Sequence, residues 1–378
     1  MRRVALLEKT RTPYRHPLFE YVGQHVDLSV FYAGDAGSHR RWDVTASGSN
    51  YTARDLKRVS AGPFVVLPEL FRELRDGGYD EIVVSTTMSM ALNSYVARYL
   101  CARTDIDLTI WTEKIDTEWR DQRFTPSLHS PEGVARGLSL PSRAGRNVFT
   151  HSLDEIHASL YREADSVIAF SRLAEQAALS QGATGDSLTT VPQWYPPSAL
   201  PDPDREISSP DTFRVLFVGT LEMRKGVDVL LDVARRYDRS DGIDFVIAGS
   251  GPLEESVSEA AANNLHISAP GYVAEERKMA EYTAADLFVL PSRHDPWGLV
   301  VNEARIAGTP SVVTDACGSR MIVPDECVVA PDDPDELYRA IESAREGMTD
   351  APSLPTLERM AEPLIRGPGS EKHVTEVN

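Results

Sequence analysis

Short aliphatic and β-branched runs alternate with amphipathic segments along most of the chain, and this alternation narrows the fold further than any other feature. It is the pattern of parallel βαβ units and not of a sandwich. In the first half the expected strands are Val4 to Leu7, Leu28 to Tyr32, Phe64 to Leu67, Ile82 to Ser85, Leu108 to Trp111, Val167 to Phe170 and Leu188 to Val191. Helical periodicity is clearest from Met90 to Arg103 and from Ser171 to Ser180. Pro192, Pro196, Pro197, Pro201, Pro203 and Pro210 then follow closely. They fix backbone angles and remove donors, so neither a helix nor a central strand continues there.

A second series follows the prolines. Its expected strands are Arg214 to Val218, Phe245 to Ala248, His266 to Ser268, Leu287 to Leu290 and Ser311 to Thr314. Helices are expected at Gly226 to Tyr237, from Leu253, at Glu275 to Thr283 and at Gly298 to Ala307. A chain of 378 residues exceeds the roughly 250 to 300 residues at which single cores stop growing. The expectation is an α/β protein of two Rossmann-like, doubly wound lobes facing across a cleft, with ligands at the carboxyl ends of the strands. The divisions are 1–195, a proline-rich linker 196–212, a second lobe 213–350 and a tail 351–378, either frayed or packed back on the first lobe. Thr117 to Thr150 breaks the rhythm, being rich in proline, glycine and arginine.

Charge narrows the choice of partners. The chain carries 39 basic and 57 acidic residues, a net charge of -18, which opposes nucleic-acid binding. Residues 1–200 hold 22 basic and 24 acidic side chains, against 17 and 33 beyond, so the acidity sits in the second half. Cys101, Cys317 and Cys327 lack CxxC spacing and read as reduced, packed thiols. The apolar run after Arg2-Arg3 is far shorter than a signal or membrane-spanning segment, so a cytoplasmic protein is expected. No histidine has metal-ligand spacing, and no protein-bound metal is expected.

Three turns carry candidate chemistry. Val215 to Gly226 reads as a strand, a turn bearing Arg224 and Lys225, and a helix start, which places two cations where they could neutralise a diphosphate. Two solvated charges on a turn would look the same. Phe245 to Leu253 contains Gly249-Ser250-Gly251-Pro252, where glycine lets backbone approach a ligand, though any tight βα connection also favours glycine. Pro291 to Pro310 is sharper: a strand ends, Asp295 follows, Gly298 opens a helix and Glu303 lies one and a half turns in. Free amides at Gly298, Leu299 and Val300 would face an anion, and Glu303 could accept from a ribose.

The order and spacing of these motifs, with Gly271-Tyr272-Val273 between them, resemble the nucleotide-sugar half of a retaining glycosyltransferase with the GT-B fold, in glycosyltransferase family 4 (glycosyl transferases group 1). The resemblance runs from about Asp211 to Asp335. It implies transfer of a sugar from a UDP- or GDP-sugar without a further cofactor. Arg224 and Lys225 would hold the diphosphate, Asp295 the donor sugar and Glu303 the ribose. The backbone at Gly219, Gly249, Gly251 and Gly271 to Val273 would line the donor site, with Gly271, Tyr272 and Val273 facing the base. Gly298, Leu299 and Val300 would face the distal phosphate. Three positions depart from the family pattern: Asp295 replaces the usual glutamate, Thr220 stands where an arginine is common, and the tail beyond Ala340 is short.

The first half matches more loosely. Glu113 lies nearest to where members often carry a histidine, and is a candidate catalytic residue or else a solvated glutamate. Arg11, Arg15 and His16 follow the first strand and are candidate acceptor ligands or plain surface charge. With Arg40, Arg41, Arg54, Lys57, Arg58, Arg136, Arg143 and Arg146 they suit an acidic acceptor, such as a glycan or a polyprenyl-phosphate-linked glycan at the cytoplasmic membrane face. A non-catalytic nucleotide-sugar-binding subunit and a GT-B nucleotide-sugar 2-epimerase are the competing readings, and the oligomeric state stays open.

Overall fold

The computed structural model describes residues 1–34, 49–61, 64–115, 155–199, 212–347 and 352–369. The Thr117–Thr150 segment and Arg40, Arg41, Arg136, Arg143 and Arg146 lie outside them. Two compact units result, one of Met1–Val191 with the chain from Leu357 on, the other Pro192–Thr356.

In the first unit β1 (Arg3–Glu8), β2 (Asp27–Tyr32), β3 (Thr52–Asp55), β6 (Glu81–Ser85), β7 (Asp107–Thr112), β8 (Ser166–Ala169) and β9 (Leu188–Thr190) form a parallel sheet ordered β3-β2-β1-β6-β7-β8-β9. Its aliphatic runs are buried on both faces, which is why they read as continuous apolar stretches. Phe64–Val66 (β5) does not join this sheet. It pairs antiparallel with Val59–Ala61 (β4), Val59 opposite Val66, as a separate hairpin. Thr52–Asp55 is instead the edge strand, held by β2 through Ser29 opposite Thr52, although its own side chains are mostly exposed.

In the second unit β10 (Phe213–Val218), β11 (Ile243–Ala248), β12 (Ile267–Gly271), β13 (Leu287–Leu290), β14 (Ser311–Thr314) and β15 (Val328–Val329) form a parallel sheet ordered β12-β11-β10-β13-β14-β15. The order reverses between β10 and β13, where Val215 faces Leu287, and the crevice outside the carboxyl ends of those two strands is where such sheets bind ligands. All three candidate turns leave strands at this edge, from β10, β11 and β13.

One boundary differs from the sequence reading, and the tail takes the packed course of the two expected for it. Residues 192–199 belong with the second unit, because the Asn302 side chain donates to the Gln193 carbonyl at 2.9 Å and Tyr195 reaches Glu303. In the tail, Leu357–Arg366 is a helix that buries Met360, Ala361 and Leu364 and packs on the helix His16–Gly23 of the first unit. Arg2 ties it down by donating to the Leu364 and Ile365 carbonyls while also pairing with Glu81 at 2.7 Å.

Candidate functional site

Gly226 and Gly249 are steric requirements of the second unit. Gly226 has φ +69°, and a Cβ there would lie 1.8 Å from the Pro291 carbonyl oxygen, so the Met223–Lys225 turn can rest against the end of β13 only without a side chain. A Cβ on Gly249 would fall 1.8 Å from the Gly219 carbonyl oxygen. The turns after β10, β11 and β12 are stitched together, Gly219 N–H to Ala248 O at 3.0 Å and Gly249 N–H to Gly271 O at 2.8 Å. Gly219, Gly249, Gly251 and Gly271 therefore lie on adjacent strand ends; beside them Tyr272 is exposed and Val273 is buried.

Lys225 and Asp295 meet. Their Nζ and Oδ2 are 2.5 Å apart, with both side chains largely buried. Asp295 is fixed on both sides of its peptide, its N–H donating to Ala316 O at 3.1 Å and its carbonyl accepting from Gly318 N–H at 3.0 Å. Gly298, at φ +91°, starts the helix Leu299–Ile306, whose first internal bond is Val301 N–H to Gly298 O. The Leu299 and Val300 amides precede that bond, as the first amides of any helix must. The site a Cβ would take on Gly298 lies 3.5 Å from Asp295 Oδ2 and 3.2 Å from Ser319 Oγ.

Arg224 points elsewhere. Its Nε and Nη2 both donate to Glu222 Oε1, at 3.1 and 2.7 Å, and its Nη1 donates to the His294 carbonyl at 2.9 Å. His294 itself is half-buried, and this desolvation with the nearby Arg224 charge lowers its pKa to about 4, so its ring is neutral at physiological pH.

Glu303 is 4% exposed and held by partners from two segments, the helix Glu275–Thr283 and the stretch 192–199. It accepts from Tyr282 Oη at 2.8 Å and lies 3.5 Å from Lys278 Nζ, with Tyr195 as a further donor. Burial raises its carboxyl above the ordinary value, Lys278 and Tyr282 opposing. None of these three partners was singled out from the sequence. Nor was Arg293, whose guanidinium grips Asp228 at 2.7 Å through both amino nitrogens, reaches Asp332 at 2.5 Å and donates to the Met223 carbonyl. Its N–H also donates to the Arg224 carbonyl at 2.8 Å, so one residue braces the whole cationic turn. The available signal was the single arginine inside the loop that delivers Asp295.

The first unit gathers its candidates at the carboxyl ends of β1 and β7. Arg15 is no surface cation: it is buried, pairs with Glu8 and Glu113 together, and its guanidinium lies 5.1 Å from the Trp111 ring centre and 5.8 Å from that of Phe170. Glu113, pinned on one oxygen by Arg15, remains 37% exposed. Burial raises the Glu8 carboxyl, against the pull of Arg15. Arg11 is bidentate on Asp55, at 2.7 and 3.2 Å, and His16 Nδ1 contacts Tyr51 Oη at 3.1 Å. Among the described residues no group of three or more His, Cys, Asp and Glu side chains is arranged to hold a metal, and no helix is long and apolar enough to cross a membrane.

Comparison with known proteins places this geometry. Residues 212–346 match the family model for glycosyl transferases group 1. An uncharacterized glycosyltransferase of Methanocaldococcus jannaschii, MJ1607, is 31% identical over 133 residues, 34% of each chain. Mannosylfructose-phosphate synthase of Agrobacterium fabrum is 34% identical over 113 residues, 26% of this chain and 25% of that one. The chain thus matches about a third or less of the length of these relatives. Among solved structures, sucrose-phosphate synthase from Thermosynechococcus elongatus superposes with TM-score 0.61 at 18% identity, covering 92% of this chain and 90% of that one. Anabaena Alr3699/HepE in complex with UDP-glucose superposes with TM-score 0.60 at 14% identity, covering 97% and 94%. The two Rossmann-like sheets are those of a GT-B fold, and within it residues 212–346 are similar to the glycosyl transferases group 1 family.

Proposed function

We propose that this protein transfers a sugar from a nucleoside diphosphate sugar, UDP- or GDP-linked, to a glycan or lipid-phosphate-linked acceptor, with retention at the anomeric carbon. The observation that carries the reading is the convergence of Lys225, Asp295, the Gly298 helix start and Glu303 at the strand-order reversal of a domain similar to the glycosyl transferases group 1 family. The solved neighbour bound to UDP-glucose supports the donor class.

As the bond to the diphosphate breaks, negative charge grows on the leaving group and positive charge on the sugar ring. Lys225 and the Leu299 and Val300 amides meet the first, while Asp295 holds sugar hydroxyls and Glu303 the ribose. Preorganised donors and cations of this kind act where charge develops and need no reorganisation at that moment. No protein-bound metal has a part. In the acceptor unit, Glu113 is the carboxylate with an oxygen left for an acceptor hydroxyl, and Arg15 holds it in place.

A thermal-shift panel of nucleoside diphosphates and their sugars tests the donor site, since a ligand at 100 times its dissociation constant adds about 2.7 kcal/mol of stability. One nucleotide class should stabilise the wild type and fail on Glu303→Ala. Silence across the whole panel would sink the reading. Nucleoside diphosphate release with acceptor present separates a transferase from a donor-binding subunit, and an unchanged anomeric configuration in the product, read by NMR, tests retention.

A further inference from the structure

The two charged side chains assigned above to the diphosphate and to the sugar are bound to each other. Lys225 Nζ and Asp295 Oδ2 are 2.5 Å apart, with side chains 14% and 9% exposed. Asp295 is anchored through both backbone groups, so the pair parts by rotation of the two side chains and not by movement of the loop that carries Asp295. Around the pair, Ser319 Oγ and His294 Nδ1 are buried without a hydrogen-bond partner, and Ser319 Oγ and Asp295 Oδ2 lie 3.2 and 3.5 Å from the place a Cβ on Gly298 would take.

We infer that Asp295 competes with the diphosphate for Lys225, and that this competition makes the site favour a nucleoside diphosphate sugar over the free nucleoside diphosphate. The inference rests on the donor-site reading and adds a second task for Asp295. A diphosphate that takes Lys225 leaves a buried carboxylate without its cation, which is costly unless new donors replace it. Sugar hydroxyls are such donors, so the intact donor satisfies both side chains. Once the sugar has gone, the carboxylate has only Lys225 to return to, and its return displaces the leaving group.

Titration calorimetry with UDP, GDP, UDP-glucose and GDP-mannose tests this. The wild type should bind the sugar nucleotide of its preferred base more tightly than the free diphosphate. Asp295→Asn should bind the free diphosphate roughly tenfold more tightly than wild type, about 1.4 kcal/mol, with no gain for the sugar nucleotide. Adding Lys225→Met should erase that gain. Asp295→Glu, which keeps the carboxylate and reaches further, should bind the diphosphate no more tightly than wild type. Unchanged or weaker diphosphate binding by a folded Asp295→Asn, or tighter binding by Asp295→Glu, overturns the inference while leaving the donor site standing. No binding of any nucleotide to the wild type overturns the donor site, and this inference falls with it.

Discussion

The proposed ribose contact of Glu303 calls for an ionised carboxyl, and its surroundings make that ionisation harder than usual. Burial raises its pKa above the ordinary 4.5, with Lys278 and Tyr282 pulling the other way. On acidification Glu303 therefore takes up its proton before an exposed glutamate would, and nucleotide affinity should fall as pH drops while still above 4.5. The dissociation constant measured against pH should show that early loss in wild type and a flat, weaker profile in Glu303→Gln. A wild-type profile flat to pH 4.5 would contradict the assignment. Asp295 and Glu303 were legible from spacing alone, because a strand end, a glycine and a helix start fix where such carboxylates go. Tyr195, Lys278 and Tyr282 were not, since each reaches Glu303 from an element remote in sequence.

Elements were legible in proportion to how deeply they are buried. The four residues Leu287–Leu290 are all buried, and their run of apolar side chains marks the strand from end to end. Thr52–Asp55 escaped notice because an edge strand with exposed side chains has no apolar pattern to show, and Phe64–Val66 misled because a half-buried hairpin strand has the same composition as a sheet strand. The Met223–Lys225 turn has no fully buried residue of its own and is braced by Arg293. Arg293→Gln should cost on the order of 2 kcal/mol of stability, read by chemical denaturation, through loss of its charged hydrogen bonds. It should also weaken diphosphate binding. Arg293→Lys should not restore either property, because one ammonium cannot span both oxygens of Asp228 and also reach Asp332.

At the scale of the whole molecule, the chain returns to its first unit after completing its second. Truncation before Leu357 removes the buried Met360 and Leu364 and the carbonyls that Arg2 holds, and should destabilise the first unit by roughly 3 to 5 kcal/mol. Urea unfolding should show the transition of the first unit moving to lower denaturant, with that of Pro192–Thr356 in place. Equal shifts of both transitions would contradict a cover confined to one unit. The sequence leaves that tail between frayed and packed, because Pro363 and Gly367-Pro368-Gly369 signal breaks while Leu357, Met360, Ala361 and Leu364 keep helical spacing.

The same return has a consequence for biosynthesis. A ribosome finishes Met1–Val191 long before it reaches Leu357, so the apolar face of His16–Gly23 that awaits the final helix stays uncovered while 165 residues of the other unit, Pro192–Thr356, are being made. The first unit is thus completed only when Leu357–Arg366 has been made, and its maturation is timed by synthesis of that helix and not by completion of its own sheet.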